Sequence, residues 1–296
     1  MKILVTGRSG QVGYELERSL QGLGEVVALD RSQMDLADLD QVREVIRALK
    51  PGLIVNPAAY TAVDKAESEP ELALRVNAHA PAVMAEEARA LGAAMIHYST
   101  DYVFDGTKAT PYTEDDPTAP INVYGATKLA GEQAIQAAGI DHLILRTSWV
   151  YGARGKNFLL TMLRLAAERE ELRIVADQHG APTWCRTIAD TTAHIVAQSL
   201  ARAGSGGAPD ARAWWHANSG LYHLTAQGQT TWHGFTEAIL AHPSVARKPR
   251  LVPIGAADYP VPARRPERSV MSCERLVAAF CGLPAWDDAL RLCQDA

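Results

Sequence analysis

The sequence predicts an α/β protein built on a Rossmann-like, doubly wound parallel sheet with helices on both faces. The first observation is a short apolar run at residues 2–6 that ends at Gly7. The second is a glycine-rich segment, residues 7–13, which opens a stretch with helical spacing. The third is the alternation of apolar runs with amphipathic stretches as far as residue 99. Strand–helix alternation of this kind produces a parallel sheet between two helical layers.

Each element of this alternation has its own signal. Residues 2–6 and 53–56 are continuous apolar runs, which is typical of strands buried on both faces. Val12, Leu16 and Leu20 repeat every four residues and therefore share one face of a helix. Strands are expected at 2–6, 25–30, 53–56 and 93–99, and helices at 11–22, 38–49 and 72–91.

The alternation weakens after Tyr151, which predicts two domains. Residues 1–151 are expected to form a dinucleotide-binding domain, with later contributions, and residues 152–296 a smaller, mostly C-terminal α/β substrate domain. In the second part, helices are expected at 157–169 and 187–200 and a strand at 171–175. The segment Ala201–Ala213 is rich in Gly, Ser, Ala and Pro, which predicts an exposed loop.

Composition argues against several classes of function. The 296 residues are 47% hydrophobic and 21% charged, with a net charge of −5 and no long charged block, so the basic surface typical of nucleic-acid-binding proteins is missing. No apolar run is long enough to span a membrane, and the N-terminus lacks a signal-peptide pattern. The four cysteines have neither metal nor disulfide spacing, which favours reduced thiols and a cytoplasmic location. The sequence contains neither a His-Glu-x-x-His motif nor Gly-x-Ser-x-Gly, so no catalytic metal or simple hydrolase is expected.

A glycine motif predicts the cofactor site. Gly7, Gly10 and Gly13 follow the first strand and open the first helix, which is the context in which this spacing binds a dinucleotide. Glycines allow a tight turn and a close approach of the backbone to a pyrophosphate. The helix N-terminus adds N–H groups that have no partner within the helix.

The acidic residue that ends the second predicted strand bears on the choice of cofactor. Asp30 lies 17 residues after Gly13, and a carboxylate there can accept hydrogen bonds from the adenosine ribose, which favours NADH. Its neighbour Arg31, or Arg8 in the glycine loop, can pair with a 2′-phosphate instead, so NADPH and NADH both stay open. Further residues expected to wall the adenine and ribose pockets are Asp35, Leu36, Ala59, Tyr60 and Thr61.

Three side chains predict proton transfer beside a hydride transfer. Tyr124 and Lys128 are four residues apart and share a helix face. A phenol with the ordinary pKa of about 10 is a sluggish acid–base group near neutrality, and a nearby ammonium lowers that pKa. Thr100 follows a strand that should end in the same crevice, where its hydroxyl can orient a carbonyl oxygen. Together they favour a nicotinamide-dependent reductase.

Longer segments resemble one known family. These segments are Val55–Glu67, His97–Gly106, Asn122–Glu132, Arg146–Gly152, Asp177–Thr183 and Gly220–Leu224. They resemble the dTDP-4-dehydrorhamnose reductase family, a branch of the extended short-chain dehydrogenases/reductases. The resemblance implies NAD(P)H-dependent reduction of the C4 keto group of dTDP-4-dehydro-L-rhamnose to dTDP-L-rhamnose, the last step of dTDP-rhamnose synthesis.

The resemblance also implies roles for individual residues. Tyr124 is expected to donate the proton, Thr100 to polarise the keto oxygen, and Lys128 to support Tyr124 and the cofactor ribose. The matching cofactor positions are Gly10, Gln11, Val12, Asp30, Asp35, Leu36, Ala59, Tyr60 and Thr61. Thr100, Asp101 and Trp149 match sugar-contacting positions, and an indole can pack on the apolar face of a deoxysugar.

The nucleotide end and the assembly are matched less closely. Two substrate phosphates need cations, for which Arg264 and Arg265 are candidates, with ordinary surface charge as the alternative. Some family members form a homodimer through Mg²⁺ held by acidic residues. Glu15 is present here, but the basic Arg186 stands where carboxylates are needed, so a metal-linked dimer is disfavoured.

Two other functions stay open. A nucleotide-sugar epimerase or dehydratase can use the same fold, although Asp101 is followed by Tyr102 and not by the second acid that a dehydratase needs. Such enzymes recycle NAD, whereas a reductase consumes NAD(P)H. The non-enzymatic alternative is a regulatory subunit that has lost catalysis, which the intact Thr100, Tyr124 and Lys128 disfavour.

Overall fold

A computed structural model describes residues 1–203 and 211–296 of the chain. Within these ranges the strands are β1 (Lys2–Val5), β2 (Glu25–Ala28), β3 (Leu53–Asn56), β4 (Ala94–Thr100), β5 (His142–Thr147), β6 (Val150–Tyr151), β7 (Glu171–Val175), β8 (His179–Gly180), β9 (Thr183–Trp184), β10 (Gly220–His223), β11 (Thr230–Thr231) and β12 (Arg250–Ile254). The helices are α1 (Gln11–Ser19), α2 (Leu39–Leu49), α3 (Val63–Ala66), α4 (Pro70–Leu74), α5 (Ala80–Leu91), α6 (Val123–Ala137), α7 (Phe158–Glu168), α8 (Cys185–Ala203), α9 (Ala211–Asn218), α10 (Trp232–Ala241), α11 (Glu274–Ala279) and α12 (Trp286–Asp295).

Six strands form the central sheet in the order β2–β1–β3–β4–β5–β10, and every neighbouring pair is parallel. The chain runs from β1 outward to β2, then returns across β1 to β3 and continues towards the other edge. In open parallel sheets, ligands bind where this order reverses, outside the carboxyl ends of the strands. That point lies between β1 and β3. The predicted doubly wound α/β fold is confirmed.

Alternate residues of the central strands build two cores on opposite faces of the sheet. In β1, Ile3 and Val5 belong to a cluster with residues of α1 and α8, whereas Leu4 belongs to a cluster with residues of α2 and α5. All three side chains are fully buried, because successive residues of a strand point to opposite faces. Both faces are therefore apolar, which explains the continuous hydrophobic run in the sequence.

Part of the sheet layer comes from the second half of the chain. β10 adds the sixth strand beside β5, and α8 packs on α1, with Ile188 and Ile195 in the shared cluster. Other late elements enclose a separate core that includes Leu172 and Phe235. Around it lie the pairs β7–β12, β8–β11 and β6–β9. The division at residue 151 stays a prediction, and β10 and α8 are the later contributions to the sheet layer.

The predicted loop Ala201–Ala213 is partly wrong. Residues 201–203 continue α8 and residues 211–213 begin α9. The stretch between them, residues 204–210, lies outside the described residues. Alanine and arginine are strong helix formers, so the flanks of the glycine-rich stretch extend the neighbouring helices.

The predicted helix at 72–91 is interrupted. A π-helical turn at Arg75–His79 connects α4 to α5. Pro81 stands in the first turn of α5 and has no backbone N–H to donate to the preceding turn, and a wider turn accommodates it. The turn carries Asn77, whose Oδ1 accepts from the Tyr60 N–H at 2.8 Å and whose Nδ2 donates to the Tyr60 carbonyl at 3.1 Å. The interruption therefore holds one of the predicted cofactor loops.

Membrane spans and thiols can be compared with the sequence directly. None of the helices in residues 1–203 and 211–296 is both long enough and apolar enough to cross a bilayer.

The four cysteines, all within these ranges, are free thiols. Burial raises the pKa of Cys185 and Cys293 to about 12, so these thiols stay protonated at neutral pH.

A buried ion pair fastens α6 to β5 and gives a test of the core. Glu132 accepts from Arg146 Nε at 2.9 Å and Nη2 at 2.7 Å, and both side chains are almost fully buried. Glu132→Ala leaves the guanidinium unpaired, so urea titration should show a free energy of unfolding about 3–5 kcal/mol lower. Glu168→Ala, which removes the exposed partner of Arg164 on α7, should change it by about 0.5 kcal/mol or less. Equal losses in the two variants would contradict the role of the buried pair.

Candidate active site

A cavity of about 540 Å³ opens at the carboxyl ends of β1, β3, β4 and β5. Its walls include the first turn of α1 and one face of α6. The predicted site residues in its lining are Gly7, Gly10, Gln11, Val12, Gly13, Ala59, Thr61, Thr100, Asp101, Tyr124, Lys128 and Trp149. The structure therefore brings the glycine loop, the strand-end hydroxyl and the Tyr–Lys pair into one crevice.

A second cavity of about 270 Å³ shares part of its wall with the first. The predicted residues in its lining are Gly7, Arg31, Asp35, Leu36, Ala59 and Tyr60. Asp30 lines neither cavity, and its Oδ1 accepts from the N–H and the hydroxyl of Ser32 at 2.9 and 2.6 Å. These bonds lower the pKa of Asp30. Arg31, and not Asp30, therefore borders this cavity, with its Nε 3.2 Å from Asp35 Oδ2.

The glycine loop has a geometry that requires glycine. Gly7 has a φ of +61°, a conformation that residues with a side chain rarely adopt. A Cβ on Gly13 would lie 2.1 Å from the Gly7 carbonyl oxygen, so α1 begins in direct contact with the loop. Gly10 is the N-cap residue of α1, and no side chain among the described residues forms a capping hydrogen bond there. The positive end of this helix can therefore receive an anion.

Thr100 ends β4 and caps the short turn that follows. Its Oγ1 accepts from the Tyr102 N–H at 3.2 Å and donates to Asp101 Oδ1 at 3.0 Å. Asp101 is 3% exposed. Burial raises the pKa of its carboxyl to about 6, although hydrogen bonds from Ser269 and Thr100 oppose the shift. The sharp end of β4 thus places a hydroxyl and a carboxyl side by side in the cavity.

Tyr124 is positioned by the start of α6, where the Asn122 side chain caps the helix. Its ring packs edge-on against Tyr102, with the ring centroids 5.7 Å apart. Tyr124 lines the cavity, and desolvation raises the pKa of its phenol to about 12. The nearby Thr100 hydroxyl opposes this rise and the charge of Asp101 adds to it. The pKa is thus raised, and not lowered as the sequence predicted, so the phenol is protonated at neutral pH.

Lys128 lies one helical turn after Tyr124 and is only 1% exposed. Its Nζ donates to the Tyr98 carbonyl oxygen at 2.7 Å and lies 3.1 Å from His97 Nε2. Burial lowers the pKa of the ammonium to about 8, and the negative charge of Glu132 opposes the shift. The side chain is therefore mainly a cation at neutral pH, on the same helix face as Tyr124.

Trp149 forms one wall of the cavity together with a residue that no motif predicts. Trp149 has a φ of +46°, which is rare for a bulky residue. Its indole stacks on Trp232 with centroids 3.5 Å apart and planes at 4°, and both line the cavity. Trp232 Nε1 donates to Gln178 Oε1 at 3.2 Å. The sequence around Trp232 gives no sign of the pair, because the two indoles come from distant segments.

The two predicted phosphate ligands, Arg264 and Arg265, lie outside the lining of both cavities. Arg265 Nη2 lies 2.8 Å from Asp64 Oδ2, and its Nη1 donates to the Ala263 carbonyl at 3.1 Å. Lys156, which the sequence did not single out, is an exposed cation that lines the first cavity. Its sequence signal is only a basic residue in a glycine-containing loop.

Unpaired polar atoms and acidic groups complete the description. Three buried oxygens of lining residues have no partner among the described residues: Ser99 Oγ, Asp101 Oδ2 and Thr147 Oγ1. Since unpaired buried polar atoms are costly, polar groups of a ligand are suitable partners for them. Glu15, the acidic residue considered for a metal, has its Oε2 3.2 Å from Arg186 Nε. Across residues 1–203 and 211–296, no group of three or more His, Cys, Asp or Glu side chains is arranged to hold a metal ion.

Comparison with known proteins agrees with this geometry. The sequence matches the family described as RmlD substrate binding domain over residues 1–296. It is 52% identical to the dTDP-4-dehydrorhamnose reductase of Burkholderia thailandensis over 300 residues, 99% of this chain and 98% of that protein. The fold matches a crystal structure of dTDP-4-dehydrorhamnose reductase from Bacillus anthracis in complex with NADP, with a TM-score of 0.89, 32% identity, and 99% and 98% of the two chains covered.

A more distant neighbour shares the fold alone. UDP-glucose 4-epimerase from Thermus thermophilus, in complex with NAD, has a TM-score of 0.79 at 21% identity, over 100% of this chain and 98% of that chain. The resemblance predicted from the sequence segments is confirmed by the closer matches. The chain belongs to the dTDP-4-dehydrorhamnose reductase family.

Proposed function

We propose that the protein reduces the C4 keto group of dTDP-4-dehydro-L-rhamnose to dTDP-L-rhamnose with NADPH or NADH, the last step of dTDP-rhamnose synthesis. The observation that carries the proposal is the meeting of the glycine loop, Thr100, Tyr124 and Lys128 in one cavity. Membership of the reductase family supports the same substrate.

The two cavities fit a dinucleotide. The loop from Gly7 to Gly13 brings bare backbone to the start of α1, as a pyrophosphate requires. Arg31 and Tyr60 line the neighbouring cavity, where the adenosine half would bind. Arg31 suits the 2′-phosphate of NADPH, and the Bacillus anthracis relative was crystallised with NADP. When bound, the nicotinamide supplies the hydride for C4.

Tyr124 supplies the proton for the keto oxygen. Because its pKa is raised to about 12, the phenol carries its proton at neutral pH and can donate it as the oxygen gains charge. The Thr100 hydroxyl, which lines the same cavity, orients the same oxygen. The ammonium of Lys128, one turn along α6, stabilises the phenolate that remains after the transfer.

The second half of the chain contributes to binding the sugar nucleotide. The stacked Trp149–Trp232 pair gives a flat apolar wall for the face of a deoxysugar. Lys156 supplies a positive charge to the cavity, which suits a diphosphate. We place it ahead of Arg264 and Arg265, since neither arginine lines either cavity. Residues 1–151 would then bind the cofactor, and residues 152–296 mainly the substrate.

Two further inferences concern the cellular location and the assembly of the protein. Four free thiols suit a reducing compartment, which supports the cytoplasm. The Glu15–Arg186 pair engages the acidic residue that a metal-linked interface would need. We therefore infer that a homodimer of this protein, if it forms, assembles without Mg²⁺.

Oxidation of NAD(P)H tests the proposed reaction directly. Purified protein given dTDP-4-dehydro-L-rhamnose should consume one reduced cofactor per sugar, followed as loss of NADPH or NADH absorbance. Tyr124→Phe removes the proton donor, so kcat should fall by about 10²–10⁴-fold with little change in KM. Tyr259→Phe, at a tyrosine that is 61% exposed, should behave like the wild type.

The alternatives predict different results in the same assay. An epimerase or dehydratase recycles its cofactor, so the sugar would change without net oxidation of NAD(P)H. A non-catalytic subunit would change neither. Folded wild-type protein that oxidises neither cofactor would refute the reductase assignment.

The glycine loop gives a separate test of the cofactor site. Gly13→Ala places a methyl group 2.1 Å from the Gly7 carbonyl, so the loop must move from its position at α1. We expect NADPH affinity, measured by calorimetry, to fall about tenfold or more. Gly282→Ala is the matched control, because its added Cβ meets no described atom within 4 Å. Equal affinity in the two variants would argue against cofactor binding at this loop.

The charge of Lys128 predicts the pH dependence. The ammonium, with a pKa of about 8, is charged below that pH and loses its proton above it. Tyr124, with a pKa of about 12, stays protonated throughout this range. The reductive kcat/KM should therefore be level near neutrality and fall about tenfold per pH unit above pH 8. A profile without a break between neutrality and the pKa of Tyr124 would contradict this role.

A further inference from the structure

A chain of buried polar side chains leads from Lys128 back to the glycine loop. Lys128 Nζ lies 3.1 Å from His97 Nε2, and His97 Nδ1 lies 3.0 Å from Asn56 Nδ2. Asn56 Oδ1 accepts from Thr6 Oγ1 at 2.6 Å, and Thr6 Oγ1 accepts from the Ala58 N–H at 3.2 Å. The three middle side chains are at most 2% exposed, and none of them lines the two cavities. Among the described residues, their side-chain hydrogen bonds reach the site through Lys128 and the Ala58 N–H.

Register explains why these side chains meet. Asn56 ends β3 and is paired with His97 of β4, while Thr6 directly follows β1. Polar groups in such an apolar sheet need partners, since an unpaired buried polar group costs about 1–3 kcal/mol. These side-chain hydrogen bonds are not part of the backbone ladder of the sheet. Their function is therefore to be sought in Lys128, the residue at the end of the series.

The contacts around His97 restrict the protonation states. A neutral imidazole has one N–H and one acceptor nitrogen, so it cannot accept from both the Asn56 amide and the Lys128 ammonium. Burial and the nearby Lys128 charge hold the pKa of His97 well below its usual range, so the ring does not become a cation. Two arrangements remain. In the first, the Asn56 amide is turned by half a rotation, its Oδ1 accepts from Nδ1–H, and Lys128 stays an ammonium. In the second, Lys128 is a neutral amine that accepts from Nε2–H.

We propose that His97 is a positioning residue for Lys128, whose ammonium donates to the His97 Nε2 lone pair while Asn56 holds the ring as the Nδ1–H tautomer. In this arrangement the His97 Nδ1–H and two Lys128 N–H groups have acceptors. The turned amide donates to Thr6 Oγ1, and the Thr6 hydroxyl proton no longer has Asn56 Oδ1 as its acceptor. An ammonium has three N–H groups. The Tyr98 carbonyl and His97 take two of them, and the third is left for the cavity.

This inference rests on the proposed reductase activity and specifies how its cation is aimed. The charged or titratable groups that act on Lys128 are Glu132 from α6 and His97 from β4, and Tyr124 lies one turn earlier on α6. Glu132 is ion-paired with Arg146 of β5, and Asp101 acts on Tyr124. Among these, His97 is the side chain in hydrogen-bond contact with Nζ.

Nitrogen NMR of the wild-type protein, labelled with ¹⁵N at histidine, tests the tautomer without substrate or cofactor. The His97 signals are those that disappear in His97→Gln. We expect a protonated Nδ1 and an unprotonated Nε2 at neutral pH. A protonated Nε2, or a doubly protonated ring, would overturn the proposal. This measurement needs no activity, so it stands apart from the outcome of the reductase assay.

The pH profile tests the consequence for catalysis. His97→Leu removes an acceptor from a buried ammonium, so the pKa of Lys128 should fall and the alkaline break of kcat/KM should move to lower pH by about one unit. His97→Gln keeps an oxygen acceptor and should return the break towards its wild-type position. His223→Gln is the control, because His223 is equally buried in β10 but contacts the Ser272 carbonyl and lines neither cavity.

The outcomes separate a positioning role from a structural one. If His97 were merely structural, its substitution would lower protein stability as much as substitution of His223 does. The alkaline break of kcat/KM would then stay in place. An unmoved break in active His97→Leu protein would overturn the proposal. Wild-type protein that is inactive but shows the Nδ1–H tautomer would refute the reductase assignment and leave the positioning of the ammonium intact.

Discussion

The buried ammonium of Lys128 is the constraint on which the rest of the site depends. A charge removed from water is costly unless its surroundings compensate for the lost hydration. The Tyr98 carbonyl and His97 receive its N–H groups, Glu132 supplies an opposite charge one turn away, and Arg146 holds Glu132 in place. These partners come from β4, α6 and β5, so the charge is tolerated only once the sheet and its helix have assembled. The charge at the site therefore depends on the same packing of β4, β5 and α6 that forms the fold.

Local physics made much of this predictable from the sequence. Gly7 and Gly13 are identifiable because a left-handed turn and a close backbone contact exclude other residues. Tyr124 and Lys128 are identifiable because a spacing of four places them on one face of a helix. Thr100 follows from the rule that parallel strands end at a common edge. The fold followed from the same kind of signal, since strands buried on both faces have no polar alternation.

Pairing between distant segments is what the sequence could not show. Arg265 belongs to a basic pair that suits a phosphate, yet its guanidinium is held by Asp64, 201 positions earlier in the chain. His97 reads as an ordinary strand residue, and only the register of β3 with β4 places it between Asn56 and Lys128. Trp232 opens a helix in the second half of the chain, and its partner is known only when the folded chain places it on the Trp149 ring. In each case the missing information is a tertiary contact and not a local propensity.

The same long-range packing fixes the position of the glycine loop relative to Trp149. Val12, in the first turn of α1 beside the glycine loop, packs against both the sheet core and the core of the late elements. Val150, next to Trp149, also packs against both. The left-handed backbone conformation of Trp149 costs about 1–3 kcal/mol. It persists because the close-packed surroundings exclude other conformations. The glycine loop and the Trp149–Trp232 wall are therefore packed against the same two cores. In the proposed reaction, a hydride donor at the loop and a keto carbon at the wall would meet at a separation that is set by this packing and not by the ligands.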